Sequence, residues 1–362
     1  MAIRSSVATL RFAVASRKTN VVARLILGVT VLLVLLVGVS LASLTMGPVN
    51  IPLTHVASVL FDNLGLDFAS HTTTEGLVIE QLRFPRILVG ALVGMALGVS
   101  GATMQGLFRN PMADPAIIGV SAGGAVGAVV VIATGVSGLF YMALPLASFL
   151  GAMAAAFLVY GIAWVGGRFS MATLLLAGVA VGSFLGAIIS AIIVLTPDND
   201  ALRGILFWLA GGLNSRSWEH VGISAPFILG GLAVVMFLAR DLNLLMLGDD
   251  DARSMGVRVG LIRPLLLAAA SMVTGVAVAV SGIIAFVGLL VPHLLRLIFG
   301  PDHRVLIPVS ALGGAVFVVV ADTLARTVIQ PAEFRVGIIT AFVGAPFFIF
   351  LLIRNKRRAE VF

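Results

Sequence analysis

Few residues in this chain are able to do chemistry, and they are unevenly spread. Only 11% of its 362 residues are charged, yet the stretch GDDDARSMGVR (248–258) holds Asp249, Asp250, Asp251, Arg253 and Arg258. The five histidines (55, 71, 220, 293, 303) are scattered, and no H-E-x-x-H or compact His/carboxylate group occurs that would hold a catalytic metal. Cysteine is absent, which removes disulfides, thiolate ligands and thiol nucleophiles. No G-x-x-x-x-G-K-[ST] exists, and Lys18 and Lys356 stand near the two ends. Without a lysine on the β- and γ-phosphates this chain is not expected to hydrolyse ATP. Inside apolar stretches the ionisable groups are Asp322 and, one helical turn apart on one face, His293 and Arg296. An ion-coupled carrier keeps such groups near the membrane midplane; packing or snorkelling accounts for this pair more simply.

The elements that position these residues are membrane spans. Apolar residues make up 60% of the chain, well above a soluble domain. A bilayer crossing needs about 20 mostly apolar residues, and ten stretches qualify: 25–45, 84–106, 115–134, 142–165, 171–195, 220–240, 261–281, 283–299, 305–328 and 336–353. The expected fold is all-α and polytopic, with about ten transmembrane helices in a permease domain over 25–353.

Charge sets the expected orientation. Residues 1–24 form a basic N-terminal tail, with no acid, before a span too long for a signal peptide. Basic residues gather on cytoplasmic segments. With the N-terminus inside, only Arg83, Arg86, Arg203, Arg216, Arg326 and Arg335 of the 23 Lys and Arg fall elsewhere. The tail 354–362, with its RNKRR, then also lies inside, so both termini are cytoplasmic. The net charge of +7 thus reflects topology, and no nucleic-acid partner is expected. Segment 46–83 becomes an outer loop with one short helix. Segment 196–219 is a second one, its middle a short interfacial helix with Trp208 and Trp218 at headgroup level. Segment 241–260, with the charged island, is cytoplasmic.

An internal echo points to an inverted repeat of helices 2–5 and 7–10. GVSG (98–101) resembles AVSG (279–282), and SAGGAV (121–126) resembles SALGGAV (310–316), although the intervening lengths differ by eight residues. Halves that begin five spans apart run in opposite directions, an arrangement common in transporters. Gly- and Ala-rich membrane helices also resemble one another by composition alone.

LRFPR (82–86), SGATMQGLFRNPMADPAIIGVSAGG (100–124), LLLAG (174–178), ARSMG (252–256), FVGLLVPHLLR (286–296), DHRVLIP (302–308), ADTLAR (321–326) and PAEFRVGIITAFVGAPFF (331–348) together resemble the permease subunits of ABC importers for ferric siderophores, haem and vitamin B12. The resemblance implies a second permease copy, here expected to be identical, two separate ATPase subunits that use ATP and Mg, and an external substrate-binding protein. No cofactor or metal is expected in this chain, which is not an enzyme. The expected location is the bacterial inner membrane.

The resemblance also implies site roles. Asp249, Asp250, Asp251, Ala252, Arg253, Ser254, Met255 and Gly256 would form the element that couples to the ATPase. Arg83, Arg86 and Arg326 would dock the binding protein, with Arg335 as a further docking residue or a preference for anionic cargo. Asn110, Met112, Ser170 and Met171 would form the cytoplasmic gate. The function expected is import of an iron chelate, siderophore or haem, by alternating access. Vitamin B12 or another corrinoid is the alternative within the family, and an ion-coupled secondary carrier the alternative from another class.

Overall fold

In a computed structural model, residues 2–62, 72–165, 168–329 and 332–359 are described; residues 2–20, 165, 168, 351–352 and 354–359 are described by backbone alone. The helices in chain order are α1 (Ala2–Thr45), α2 (Leu53–Asp62), α3 (Thr73–Leu77) and α4 (Phe84–Leu107). They continue with α5 (Val120–Ala133), α6 (Ala143–Ala163), α7 (Met171–Leu195), α8 (Asn199–Leu209) and α9 (Trp218–Phe237). Short α10 (Ala239–Leu245) and α11 (Asp249–Ser254) precede α12 (Val259–Ser281), α13 (Val287–Phe299), α14 (His303–Thr327) and α15 (Val336–Ala359). Outside the helices, a two-residue antiparallel ladder pairs Trp164 with Phe169 between α6 and α7.

Among the described residues, seven helical stretches are long and apolar enough to cross a bilayer: Val21–Thr45, Thr73–Leu107, α6, α7, α9, α12 and α14. The other three expected spans coincide with the shorter apolar helices α5, α13 and Val336–Phe350 of α15. Helices of 14 and 13 residues, α5 and α13, reach only about 20 Å. In each, the remaining path is irregular backbone. A 3-10 turn at Pro115–Ile118 ends on left-handed Gly119, and 283–286 ends on Phe286, also left-handed at φ 68°. The expected span 283–299 therefore starts as a helix only at Val287. Non-helical backbone is tolerated at membrane depth only where protein or a cavity surrounds it.

Two expectations about the connecting segments change. The 73–83 part of the segment read as an outer loop is helical, and passes through a π-helical turn, Val78–Arg83, straight into α4. Pro85 explains the turn, because a proline cannot donate to the preceding turn and crowds its carbonyl, and a π-bulge relieves both. Residues 63–71, with Asp67 and His71, lie outside the described residues. The middle of 196–219 is helix α8, but Trp208 is buried beside Ala125, Ala128 and Val278 rather than facing outward. Trp218 is exposed, and its indole donates to Glu80 O.

At the centre lies α4, buried almost along its length and packed by α12, α13 and α14. Glycines set its closest crossing. A Cβ at Gly94 would sit 2.2 Å from Gly314 O, and one at Gly314 would sit 2.1 Å from Gly94 O. Such approach is how helices gain contact in lipid, where burial from water drives nothing.

Packing follows the expected inverted repeat. As α4 packs on α13 and α14, α12 packs on α5 and α6; α5–α6 corresponds to α13–α14, and α6–α7 to α14–α15. SAGGAV and SALGGAV are not part of it. They fall on α5 and α14, whereas a five-span offset would pair α5 with α13. That echo is compositional.

Candidate functional site

At one end of the bundle, α11 is a single short helix held from below. Ala252 is fully buried, while Asp250, Asp251, Arg253, Ser254, Met255 and Gly256 are exposed. Three aspartates in its first turn suit the positive end of a helix. Gly248 (φ 134°) and Gly256 (φ 89°) bound it in conformations that disfavour a side chain. Asp249 is the anchor. It accepts from Arg263 at 2.5 and 2.9 Å and from Arg109 at 3.2 Å. The Arg263 guanidinium holds the Asp249 carboxyl below the usual carboxylate range. Arg253 pairs with Asp250 at 3.1 Å, both exposed.

Arg109 belongs to the turn that closes α4, where it adopts left-handed backbone (φ 50°), rare for a residue with a Cβ. The conformation is held from outside: its Nε donates to Leu245 O and its Nη2 to Asp249. The same turn carries two expected gate residues. Asn110 Oδ1 accepts from Met112 N at 2.9 Å and shapes the turn. Met112 borders a cavity of only about 20 Å³ with Pro111, Leu289, Leu290, His293, Phe347 and Phe348, so this space is essentially shut. Ser170 and Met171 do not border it. Ser170 Oγ caps α7 by accepting from Thr173 N at 3.2 Å, and Met171 packs against the main core. The sequence had marked His293 only as a packed or snorkelling residue; the structure puts it, with two aromatics from α15, beside Met112.

A larger space, about 550 Å³, lies further along α15. Ala285, Ile338, Ala341, Phe342, Ala345 and Pro346 are among its walls, and no described lining residue is charged. Among the described residues no group of three His, Cys, Asp or Glu could hold a metal ion.

The other end is charged, and two of the arginines expected to dock are buried. Arg83 and Arg326 are 5% and 3% exposed. Arg83 donates to Leu44 O and Val49 O. Arg326 donates to Ser43 O at 3.2 Å, Ser43 Oγ at 2.5 Å and Met46 O at 3.4 Å. Both therefore satisfy carbonyls at the C-terminus of α1, which has no basic residue in its own last turn. Cations there also meet the negative end of the helix dipole. Most of their donors are engaged inside the fold, while both side chains also border the open cavity at this end.

Arg86 is also engaged. Its Nε and Nη2 grip Asp322 at 2.8–3.1 Å, and its Nη1 reaches Glu333 at 3.0 Å. Asp322 is 3% exposed, Glu333 23%. Arg335 stacks 4.3 Å above the Phe207 ring and donates to Asn214 Oδ1 at 3.0 Å. An open cavity of about 390 Å³ is bordered by Arg83, Arg86, Arg216, Arg326, Asn214 and Glu333. Arg216 was missed as a site residue; burial lowers its pKa to about 10. Glu333 too carried no sequence signal beyond its place in PAEFRVG.

The chain is similar over nearly its whole length to transport permeases. It is 43% identical to the cobalamin import system permease protein BtuC of Halobacterium salinarum, covering 90% of this chain and 95% of that one. It is 38% identical to the hemin transport system permease protein HmuU of Yersinia pestis, over 92% and 97% of the two chains. With the Fe(3+)-citrate import system permease protein YfmD of Bacillus subtilis it shares 36%, over 94% and 98%. A solved structure described as an inward-facing conformation of a metal-chelate type ABC transporter matches with a TM-score of 0.79 and 30% identity, covering 90% of this chain and 98% of that one. The model of the FecCD transport family matches residues 16–354. This chain belongs to the FecCD transport family, and is a multi-pass permease of an ABC importer.

Proposed function

We propose that this permease imports a large iron chelate, driven by a separate ATPase bound at the α11 end. Cargo would be delivered by a binding protein at the Arg86 end. The observation that carries the reading is that a single helix, α15, joins the three regions a transporter needs. Its preceding loop reaches the charged end through Glu333 and Arg335. Its first turns wall the wide apolar cavity, and Phe347 and Phe348 close the narrow space beside Met112. A wide space shut at one end is one half of alternating access. In this reading the α11 end and both termini are cytoplasmic, and the tails 1–24 and 354–362 and the loop 241–260 lie on that side. The complex holds two copies of this chain.

The coupling surface is the exposed face of α11, with Met255 at 56% exposure, on a base made rigid by Asp249 and Ala252. Docking falls on the cavity around Arg86 and Arg216, with Arg335 at its side. The cytoplasmic gate is Met112 with His293, Phe347 and Phe348, on a turn shaped by Asn110.

Anionic cargo is favoured by the excess of guanidinium groups at the entry cavity. Cobalamin is the second reading, supported by the 43% identity to a permease named for it. Elemental analysis of ligand co-purifying with the cognate binding protein separates the two. Iron is the expected result, and cobalt would replace this reading with the second.

A further inference from the structure

Among the described lining residues, Glu333 is the one acid in a cavity that carries four arginines. Four guanidiniums border or face it, those of Arg83, Arg86, Arg216 and Arg326, against the two carboxylates Glu333 and Asp322. The two carboxylates are placed differently. Asp322 is buried and grips two edges of Arg86, so it is fixed by the core of the fold. Glu333 is partly exposed, takes only Arg86 Nη1, and is steadied by Asn214 Nδ2 at 2.6 Å. Arg216 Nε, on the same cavity, is buried without a hydrogen-bond partner among the described residues. A partly exposed ion pair in a surplus of positive charge is the easier one to exchange.

Glu333 also begins the mechanical path. It stands three residues before α15, whose first turn is wedged tightly: Gly337 N donates to Gly211 O at 3.2 Å, and a Cβ at Gly337 would fall 2.3 Å from Ala210 O. From Val336 to Phe348, beside the gate, α15 runs about 18 Å.

We propose that Glu333 is a resident stand-in for an acidic side chain of the docked protein, and that its displacement from Arg86 tells α15 that docking has occurred. This rests on the importer reading above. The partner is a protein of the outer face that presents a carboxylate. That carboxylate takes Arg86 Nη1, beside the Arg216 guanidinium. Glu333 then leaves Arg86, the segment before α15 loses its tie to α4, and α15 is freer to shift at Phe347 and Phe348. Docking and gate opening thus share one ion pair.

The test uses the assembled permease–ATPase complex in nanodiscs and its purified, ligand-free binding protein. Glu333→Gln keeps the shape and removes the competing charge. Docking is expected to tighten about three- to tenfold, as for loss of one partly exposed ion pair. ATP hydrolysis without binding protein is expected to rise toward the docked rate. Docking no tighter than in the unaltered complex overturns the proposal. If the variant does not assemble, hydrogen exchange over 332–338 in the unaltered complex decides: faster exchange on docking supports the proposal and unchanged exchange overturns it. An unaltered complex that assembles with the ATPase and yet never docks would overturn the importer reading itself.

Discussion

Arg109 and Asp249, 140 residues apart in sequence, meet at 3.2 Å. One sits on the turn that carries Met112, the other at the start of the exposed helix α11. Asp249 is also tied to Arg263 on α12. The ion pair thereby ties α11 to the turn that carries Met112. Arg109 holds a left-handed backbone conformation while making this bond, so its position is set by tertiary contacts rather than local preference.

Arg109→Ala is expected to uncouple the two ends. The ion pair is partly exposed and contributes about 1 kcal/mol or less, and the lost bond to Leu245 O costs about 1.5–3 kcal/mol. ATPase binding through Met255 should persist, while uptake per ATP hydrolysed falls several-fold. The ratio of transport to hydrolysis in proteoliposomes checks this.

The pH dependence of this link has a definite sign. The Asp249 carboxyl is held below its ordinary value, chiefly by its bonds to Arg263. Its stabilising effect is complete above the unfolded value, about 3.9, and is lost as pH falls through the lower folded value. Hydrogen exchange of 249–256 should be unaffected between pH 5 and 8 beyond intrinsic chemistry. Added mobility of α11 should emerge only below about pH 4.

Arg83→Ala and Arg326→Ala are expected to weaken the fold more than the docking. Each leaves carbonyls of the α1 terminus unpaired, a cost of about 1.5–3 kcal/mol for hydrogen bonds to a charged group. Thermal unfolding in detergent should drop for both variants. An unchanged midpoint with selectively weakened docking would reinstate them as surface residues.

Gly314→Val should disrupt the crossing of α4 and α14, because even a Cβ there meets Gly94 O at 2.1 Å. Loss of monodisperse protein on size-exclusion chromatography is the expected readout. Gly38→Val, at a site with nothing within 4 Å, is the tolerated control.

At the coupling face, Met255→Glu should abolish ATPase association with insertion intact, since Met255 is exposed and supports nothing inside. Gly256→Ala adds only the left-handed backbone cost of about 1–2 kcal/mol, so it should weaken association partially. Pull-down of the ATPase subunit reads both.

The spans, the family and the position of the charged island were legible because long apolar runs and contiguous motifs are local signals. Arg83 and Arg326 were not, because an arginine at a helix end reads alike whether it faces solvent or, as here, the carbonyls of α1. The capping of α7 by the Ser170 hydroxyl was not read from the sequence, because a serine before a helix gives no sign of which role it serves. Glu333 was invisible because its meaning depends on Arg86, 247 positions away. The broken starts of α5 and α13 escaped hydropathy, which registers apolar composition and not backbone conformation.

The most direct test of the central claim is uptake in proteoliposomes that contain this permease, its ATPase and the loaded binding protein. Accumulation is expected only with internal or external ATP on the ATPase side, and should stop when the ATPase is omitted. Accumulation without ATP that instead follows an imposed proton gradient would contradict it.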